Sequence, residues 1–187
     1  AHIKLFQFTE SLSDEFKKVA QQILSSGAKG IILDLRDNPG GYLETAVEIT
    51  SWFLPESSLV VFEDFGEGVK REHYSSKNGK LSGLPLVVLV NQGSASGSEI
   101  VAGALRDILG IKLIGEKTFG KGSVQQLEEL RDNSSVKLTV AKWLTPSGLC
   151  IHENGLEPDI KVEITQDDLD NFRDPQLAKA IEELLGL

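Results

Sequence analysis

The run Leu84-Pro85-Leu86-Val87-Val88-Leu89-Val90, continued by Asn91-Gln92-Gly93-Ser94-Ala95-Ser96-Gly97-Ser98-Glu99-Ile100, decides the fold. Its first half is apolar throughout and reads as a buried strand. Beyond the small-residue turn, Ile100, Val101, Ala104, Leu105 and Ile108 recur at helical spacing. Such a turn leaves side chains bare at a helix N-terminus, where backbone N–H groups and the positive end of the helix dipole converge. A serine placed there can attack a carbonyl while the N–H groups hold the oxyanion. Ser94, Ser96 and Ser98 all compete for that place. Ser96-Gly97-Ser98-Glu99 also has the S-x-x-E spacing of a capping box, which needs no chemistry. The G-x-S-x-G elbow is not matched in register, which gives no support to an α/β-hydrolase.

Working outward, strands and helices alternate on the N-terminal side. His2 to Phe8 alternates loosely and reads as a strand. Ser13 is placed to cap a helix carrying Phe16, Val19, Ala20, Ile23 and Leu24, and Gly27 to end it. Gly30 to Leu35 is a second buried strand. Arg36-Asp37-Asn38-Pro39-Gly40-Gly41 turns the chain into a helix from Tyr42 to about Phe53, which Pro55 stops. Leu59 to Phe62 is a further strand. Residues 63–83 are polar and glycine-rich, with Val69 to Tyr74 as an edge strand or hairpin arm. This stretch is expected to be a flexible insertion.

On the C-terminal side, Ile111 to Ile114 is a short strand before a second glycine-rich loop, Gly115 to Ser123. Val124 to Leu130 and Ser135 to Leu144 read as antiparallel strands joined at Arg131-Asp132-Asn133-Ser134. Leu149 to Ile151 and Ile160 to Ile164 are short extended pieces. A last helix runs from Pro175 to Leu185, with Gly186 to end it. The pattern is α/β, with a mixed sheet flanked by helices and a β-rich C-terminal part.

The 187 residues fit a single domain spanning 1–187, and 40% apolar content supplies its core. A net charge of −9 argues against a basic nucleic-acid surface. One cysteine excludes an internal disulfide and any multi-cysteine metal site. No apolar run approaches a membrane span, and the N-terminus does not read as a signal peptide. The initial Ala1 and the lack of methionine read as a mature protein or an excised fragment.

A serine nucleophile needs a base and an oxyanion hole. Lys121 lies between Gly120 and Gly122. As a base its amine must be neutral, which requires burial to depress its pKa from about 10.4. Phe119 and Val124 are apolar neighbours for that purpose, and Gln125 is placed to orient the amine. The plain alternative is an exposed loop lysine. Gly40-Gly41, after a buried strand, can aim N–H groups at a shared point, or can simply be a tight turn. His2, His73 and His152 read as structural or exposed. Asp107 is a weak candidate for supporting the site, able to pair with Arg106 or stay solvated.

Together these motifs resemble the C-terminal processing peptidases, or tail-specific proteases, through nearly the whole chain and in order. Asp34 to Gly41 is similar to the family's oxyanion segment, Gly93 to Ile100 to its nucleophile segment, and Gly115 to Gln125 to its lysine segment. Thr145-Pro146-Ser147-Gly148 with Gly155 to Asp159 resembles its C-terminal signature, and Asp174-Pro175-Gln176-Leu177 the start of its last helix. The resemblance implies a crotonase/Clp-peptidase-like core and a serine endopeptidase with a Ser–Lys dyad that needs no metal or organic cofactor. By position it implies Ser96 as nucleophile, Lys121 as base and Gln125 as its support. The implied oxyanion donors are the Gly97 N–H and one N–H of Gly40 or Gly41, and Asp107 matches an acidic position of some members. The implied partners are protein or peptide substrates with accessible C-terminal tails, and the resemblance is compatible with a homo-oligomer. The implied location is extracytoplasmic: periplasm, cell envelope or chloroplast lumen.

Two departures from the family stand out. Gly97 replaces the usual Ala, and nothing here resembles the PDZ domain that normally precedes this segment. An isolated core inactive without that domain, or a non-proteolytic ligand-binding module on the same fold, are the competing expectations.

Overall fold

The computed structural model describes residues 1–76, 79–132 and 134–186. Parts of three expectations therefore lie outside the described residues: Lys77 and Asn78 in the 63–83 stretch, Asn133 in the hairpin turn, and the terminal Leu187. In chain order the elements are β1 (His2–Lys4), α1 (Leu12–Ser26), β2 (Ile31–Asp34), α2 (Leu43–Ser51), β3 (Leu59–Gly66), β4 (Val69–Tyr74), β5 (Leu86–Val90), α3 (Gly97–Leu109), β6 (Leu113–Gly115), β7 (Ser123–Glu129), β8 (Ser135–Leu144), β9 (Ile160–Lys161), α4 (Gln166–Asp170) and α5 (Pro175–Leu185).

The expected mixture of parallel and antiparallel pairing is divided between two sheets. One has the order β1-β2-β5-β6-β9, and each of its pairings is parallel. The other, β4-β3-β8-β7, is antiparallel. Sequence alternation explains the layers around the parallel sheet. Ile31, Leu33, Leu86, Val88, Val90 and Leu113 point to the face covered by α1, α2 and α3. Ile32, Val87, Leu89 and Ile114 point to the other face, where Ala180, Leu177 and Leu184 of α5 cover them. Strands covered on both faces are apolar at every position, which is why β5 shows no polar alternation.

Gly27 and Gly186 end α1 and α5 in the left-handed conformation, as expected. Ser13 does not cap α1: the helix starts at Leu12, and the Ser13 hydroxyl donates to Glu48 of α2 at 2.6 Å. A serine inside the first turn projects sideways and meets the neighbouring helix instead of the helix's own N–H groups. The 63–83 stretch forms the end of β3, all of β4 and a turn in which Leu81 is buried, its N–H donating to Trp52 O. The short α4, not anticipated from the sequence, starts at Thr165, whose hydroxyl accepts from the Asp168 N–H at 3.2 Å.

A buried ion network locks α5 to the end of β2. Arg36 donates to both Asp34 oxygens at 2.9 and 2.7 Å, to both Asp174 oxygens at 2.9 Å, and to Gln176 at 3.1 Å. Burial alone would raise the Asp34 carboxyl, but the Arg36 guanidinium more than reverses that and holds it below its ordinary 3.8. Asp174 is lowered in the same way. These depressed values add stability above pH 3.8 that is lost as pH falls through the folded-state values. Replacing Arg36 by Met should leave buried Asp34 without its guanidinium partner, held only by the His2 ring and the backbone N–H of residue 36, and cost about 3–5 kcal/mol. The acid-dependent loss of stability should shrink, because the guanidinium that lowers both Asp34 and Asp174 is gone. Urea melts at pH 7 and pH 4 check both statements.

Candidate active site

Three loops meet at the C-terminal ends of β2, β5 and β6. The first, Arg36 to Gly41, is held by Asn38, which is fully buried. The Asn38 amide donates to Leu5 O at 2.9 Å and its Oδ1 accepts the Gly40 N–H at 2.9 Å. The Gly40 N–H is therefore engaged. The Gly41 N–H has no partner among the described residues.

The second loop, Asn91 to Ser96, is stitched to the first. Asn91 exchanges hydrogen bonds with Asp37 at 2.8 and 2.9 Å, and the Ala95 N–H donates to Asn38 O at 3.0 Å. The three serines differ in where their hydroxyls go. Ser94 is fully buried, donating to Leu35 O at 2.8 Å and accepting from the Asn91 N–H at 3.0 Å. Ser98 is also fully buried and donates to Asn38 O at 2.8 Å. Ser96 is only partly buried. It stands at the N-cap of α3 in capping-box geometry with Glu99, where the Glu99 N–H also donates to the Ser96 carbonyl at 2.9 Å.

Ser96 is strained. Its φ of 55° and ψ of −114° belong to the first central residue of a type II′ turn, a place that favours glycine. The turn is closed by the Ser98 N–H donating to Ala95 O at 3.1 Å. A non-glycine residue held there costs about 1–3 kcal/mol. The Gly97 N–H, first in the helix, has no partner among the described residues. A Cβ built on Gly97 would stand 3.6 Å from the Gly41 nitrogen, so the two glycine backbones lie close together beside Ser96.

The third loop, Gly115 to Gly122, is anchored through its backbone. Phe119 N–H donates to Ser94 O at 3.0 Å, and Glu153 N–H to Gly120 O at 2.9 Å. Gly122 lies directly on the segment around His152: a Cβ there would fall 2.3 Å from the His152 nitrogen. His152 thus backs the lysine loop from below, while His2 and His73 pair with Asp34 and Glu63 elsewhere.

The structure brings the Lys121 backbone to the site but not its amine into a bond. Lys121 is exposed, and so is Gln125. Among the described residues no hydrogen bond joins the Lys121 amine to Ser96 or to Gln125. The expected burial by Phe119 is absent, because that ring turns outward and is 67% exposed. A bulge between Val124 and Gln125 interrupts the β7–β8 register at that point. Asp107 serves another place. It accepts the Ser147 N–H at 2.9 Å and lies near Arg106, fixing the Thr145–Gly148 turn against the far part of α3.

The residue that sequence reading missed is Glu99. It is fully buried. Its Oε2 accepts the Ser96 N–H and the Lys121 N–H, each at 2.9 Å. Its Oε1 accepts the Thr118 hydroxyl at 2.5 Å and the Gly120 N–H at 2.8 Å. Burial pushes the Glu99 carboxyl above the usual range, and the four donors pull it only part of the way back. A charged residue amid the buried run Ser98 to Leu105 was the available signal, and the capping-box spacing masked it.

Among the described residues no cluster of His, Cys, Asp and Glu could hold a metal ion, and no helix is long and apolar enough to cross a membrane.

With this geometry goes a family. The chain belongs to Peptidase family S41, matched over residues 1–162. It is 43% identical to the carboxy-terminal processing protease CtpA of Bacillus subtilis over 162 residues, covering 87% of this chain and 34% of that protein. It is 42% identical to the carboxyl-terminal-processing protease of Synechocystis over 188 aligned positions, covering 99% of this chain and 44% of that protein. Among solved structures, the photosystem II D1 C-terminal processing protease superposes with a TM-score of 0.79 at 34% identity, over 90% of this chain and 44% of the other. The chain thus spans less than half the length of these relatives. The expected α/β fold, with parallel and antiparallel sheets flanked by helices, is that of the family.

Proposed function

We propose that this chain is the catalytic core of a serine endopeptidase that cleaves protein substrates near their C-termini through a Ser96–Lys121 dyad. Neutral Lys121 takes the Ser96 proton, and Ser96 Oγ attacks the peptide carbonyl. The N–H groups of Gly97 and Gly41 hold the oxyanion. The Lys121 ammonium then protonates the leaving amine, and water deacylates the enzyme. The exposed amine becomes a base only when bound substrate covers it and excludes water, with Gln125 orienting it. Of the glycine pair, Gly41 fits the oxyanion role, because the Gly40 N–H is already spent on Asn38.

The observation that carries this reading is Ser96 itself: of the three neighbouring serines it is the one that is not fully buried and whose hydroxyl donates to no carbonyl, held in a strained turn beside two N–H groups without partners among the described residues. The names of the relatives support protein substrates with C-terminal tails. An extracytoplasmic location rests on the family resemblance alone.

A fluorophosphonate probe tests the site. The wild-type chain should be labelled at Ser96, and Ser96→Gly should not. The glycine variant should also be more stable by about 1 kcal/mol, since relief of backbone strain exceeds the entropy cost of glycine. A well-folded wild-type chain that resists the probe would favour a binding module or an inactive isolated core.

A further inference from the structure

Glu99 spends its carboxylate in a way a helix cap does not require. One acceptor satisfies a cap, and Gln serves as well as Glu in that place. Here both oxygens are used twice. Oε2 joins the Ser96 N–H to the Lys121 N–H, so these two nitrogens stand no further apart than twice 2.9 Å. Oε1 joins the Thr118 hydroxyl to the Gly120 N–H. No cationic side chain pairs with Glu99 among the described residues, so a buried charge is held by donors from two loops alone. All four donors belong either to Ser96 or to the loop carrying the exposed amine.

We infer that Glu99 is a positioning residue: it holds Ser96 in its strained conformation and sets the Lys121 backbone against it, so that the reacting geometry depends on this one carboxylate. The inference rests on the Ser96–Lys121 reading. The carboxylate suits the task because it accepts on both oxygens. An amide of the same size turns an NH₂ toward two of the four donors, and whichever way it turns at least one of them is a backbone N–H that must lose its bond. The damage should stay local, because the apolar side chains of α3 pack into the core independently of Glu99. Thr118 offers a second handle, since its hydroxyl donates to Glu99 and accepts from the Leu156 N–H at 2.7 Å.

The test compares Glu99→Gln, Thr118→Val and Thr118→Ser with wild type, measuring peptide cleavage, the rate of fluorophosphonate labelling and thermal unfolding. Glu99→Gln should lower kcat and the labelling rate by about 10²-fold with KM little changed, as expected when reacting atoms are displaced but substrate contacts remain. Thr118→Val should move kcat in the same direction, and Thr118→Ser, which restores the hydroxyl, should return it toward wild type. The inference is overturned if Glu99→Gln keeps the wild-type kcat, or if activity in these variants falls only in proportion to the unfolded fraction. If wild type itself neither cleaves nor labels, the Ser96–Lys121 reading fails, and the inference with it.

Discussion

Lys121→Ala lowers kcat by about 10²–10⁴-fold, the contribution of a positioned general base, and leaves the fold as stable as wild type. The two halves of this expectation have separate causes. The loss of rate follows because, on the proposed reading, the Lys121 amine is the group that takes the Ser96 proton. The unchanged stability follows because the side chain is exposed and makes no hydrogen bond or ion pair among the described residues. Surface truncations of that kind stay within about 0.5 kcal/mol. The backbone N–H that Lys121 gives to Glu99 survives the substitution. Lys121→Arg should not rescue activity, because a guanidinium keeps its proton at any working pH. Steady-state kinetics on a peptide substrate, with thermal melts alongside, checks all three statements. A Lys121→Ala enzyme that cleaved at the wild-type rate would remove the dyad.

Gly40→Ala has a different kind of effect, because it damages site and fold at once. A Cβ on Gly40 would stand 2.7 Å from Ala95 O, 2.7 Å from Ser96 Cβ and 2.8 Å from the Gly97 nitrogen. Two of these are backbone atoms of the nucleophile turn and cannot swing aside. The φ of 97° adds strain for any side chain. Overpacking and strain together should cost about 2–5 kcal/mol. Displacing the Gly97 N–H should also remove an oxyanion donor, worth about 10²–10³ in kcat. Gly97→Ala is the informative contrast. Its Cβ would meet the Phe8 ring edge at 3.2 Å and Ala46 Cβ at 3.5 Å, both side-chain atoms, with no positive φ to strain. That variant should fold and keep activity within a few-fold, in line with the alanine usual in the family resemblance.

The legibility of this site in the sequence depended on the distance over which each feature acts. β5, the turn and α3 are local patterns, an apolar run followed by small residues and a helical stripe, and they appear where the sequence places them. Gly27 and Gly186 end their helices for equally local reasons. The split into two sheets was not visible, because register between β3 and β8, some eighty residues apart, leaves no mark in either strand alone. The choice among Ser94, Ser96 and Ser98 depended on where the other two hydroxyls go, and both go to the Leu35–Asn38 loop. Glu99 was legible only as a partner of Ser96. Its other donors lie about twenty residues downstream, and nothing in their spacing points back to it. Lys121 shows the converse. Its apolar neighbours suggested burial, but Phe119 faces solvent and the Lys121 side chain is exposed, so on the proposed reading the desolvation comes from bound substrate.

The distance from Ser96 Oγ to Lys121 Nζ, in a crystal structure of the protein with a substrate-like peptide bound across the site, tests the dyad most directly. The expected result is hydrogen-bond reach, about 2.6–3.2 Å, with the amine covered by the peptide. A peptide-occupied site in which Lys121 still points to solvent and another group touches the Ser96 hydroxyl would contradict it.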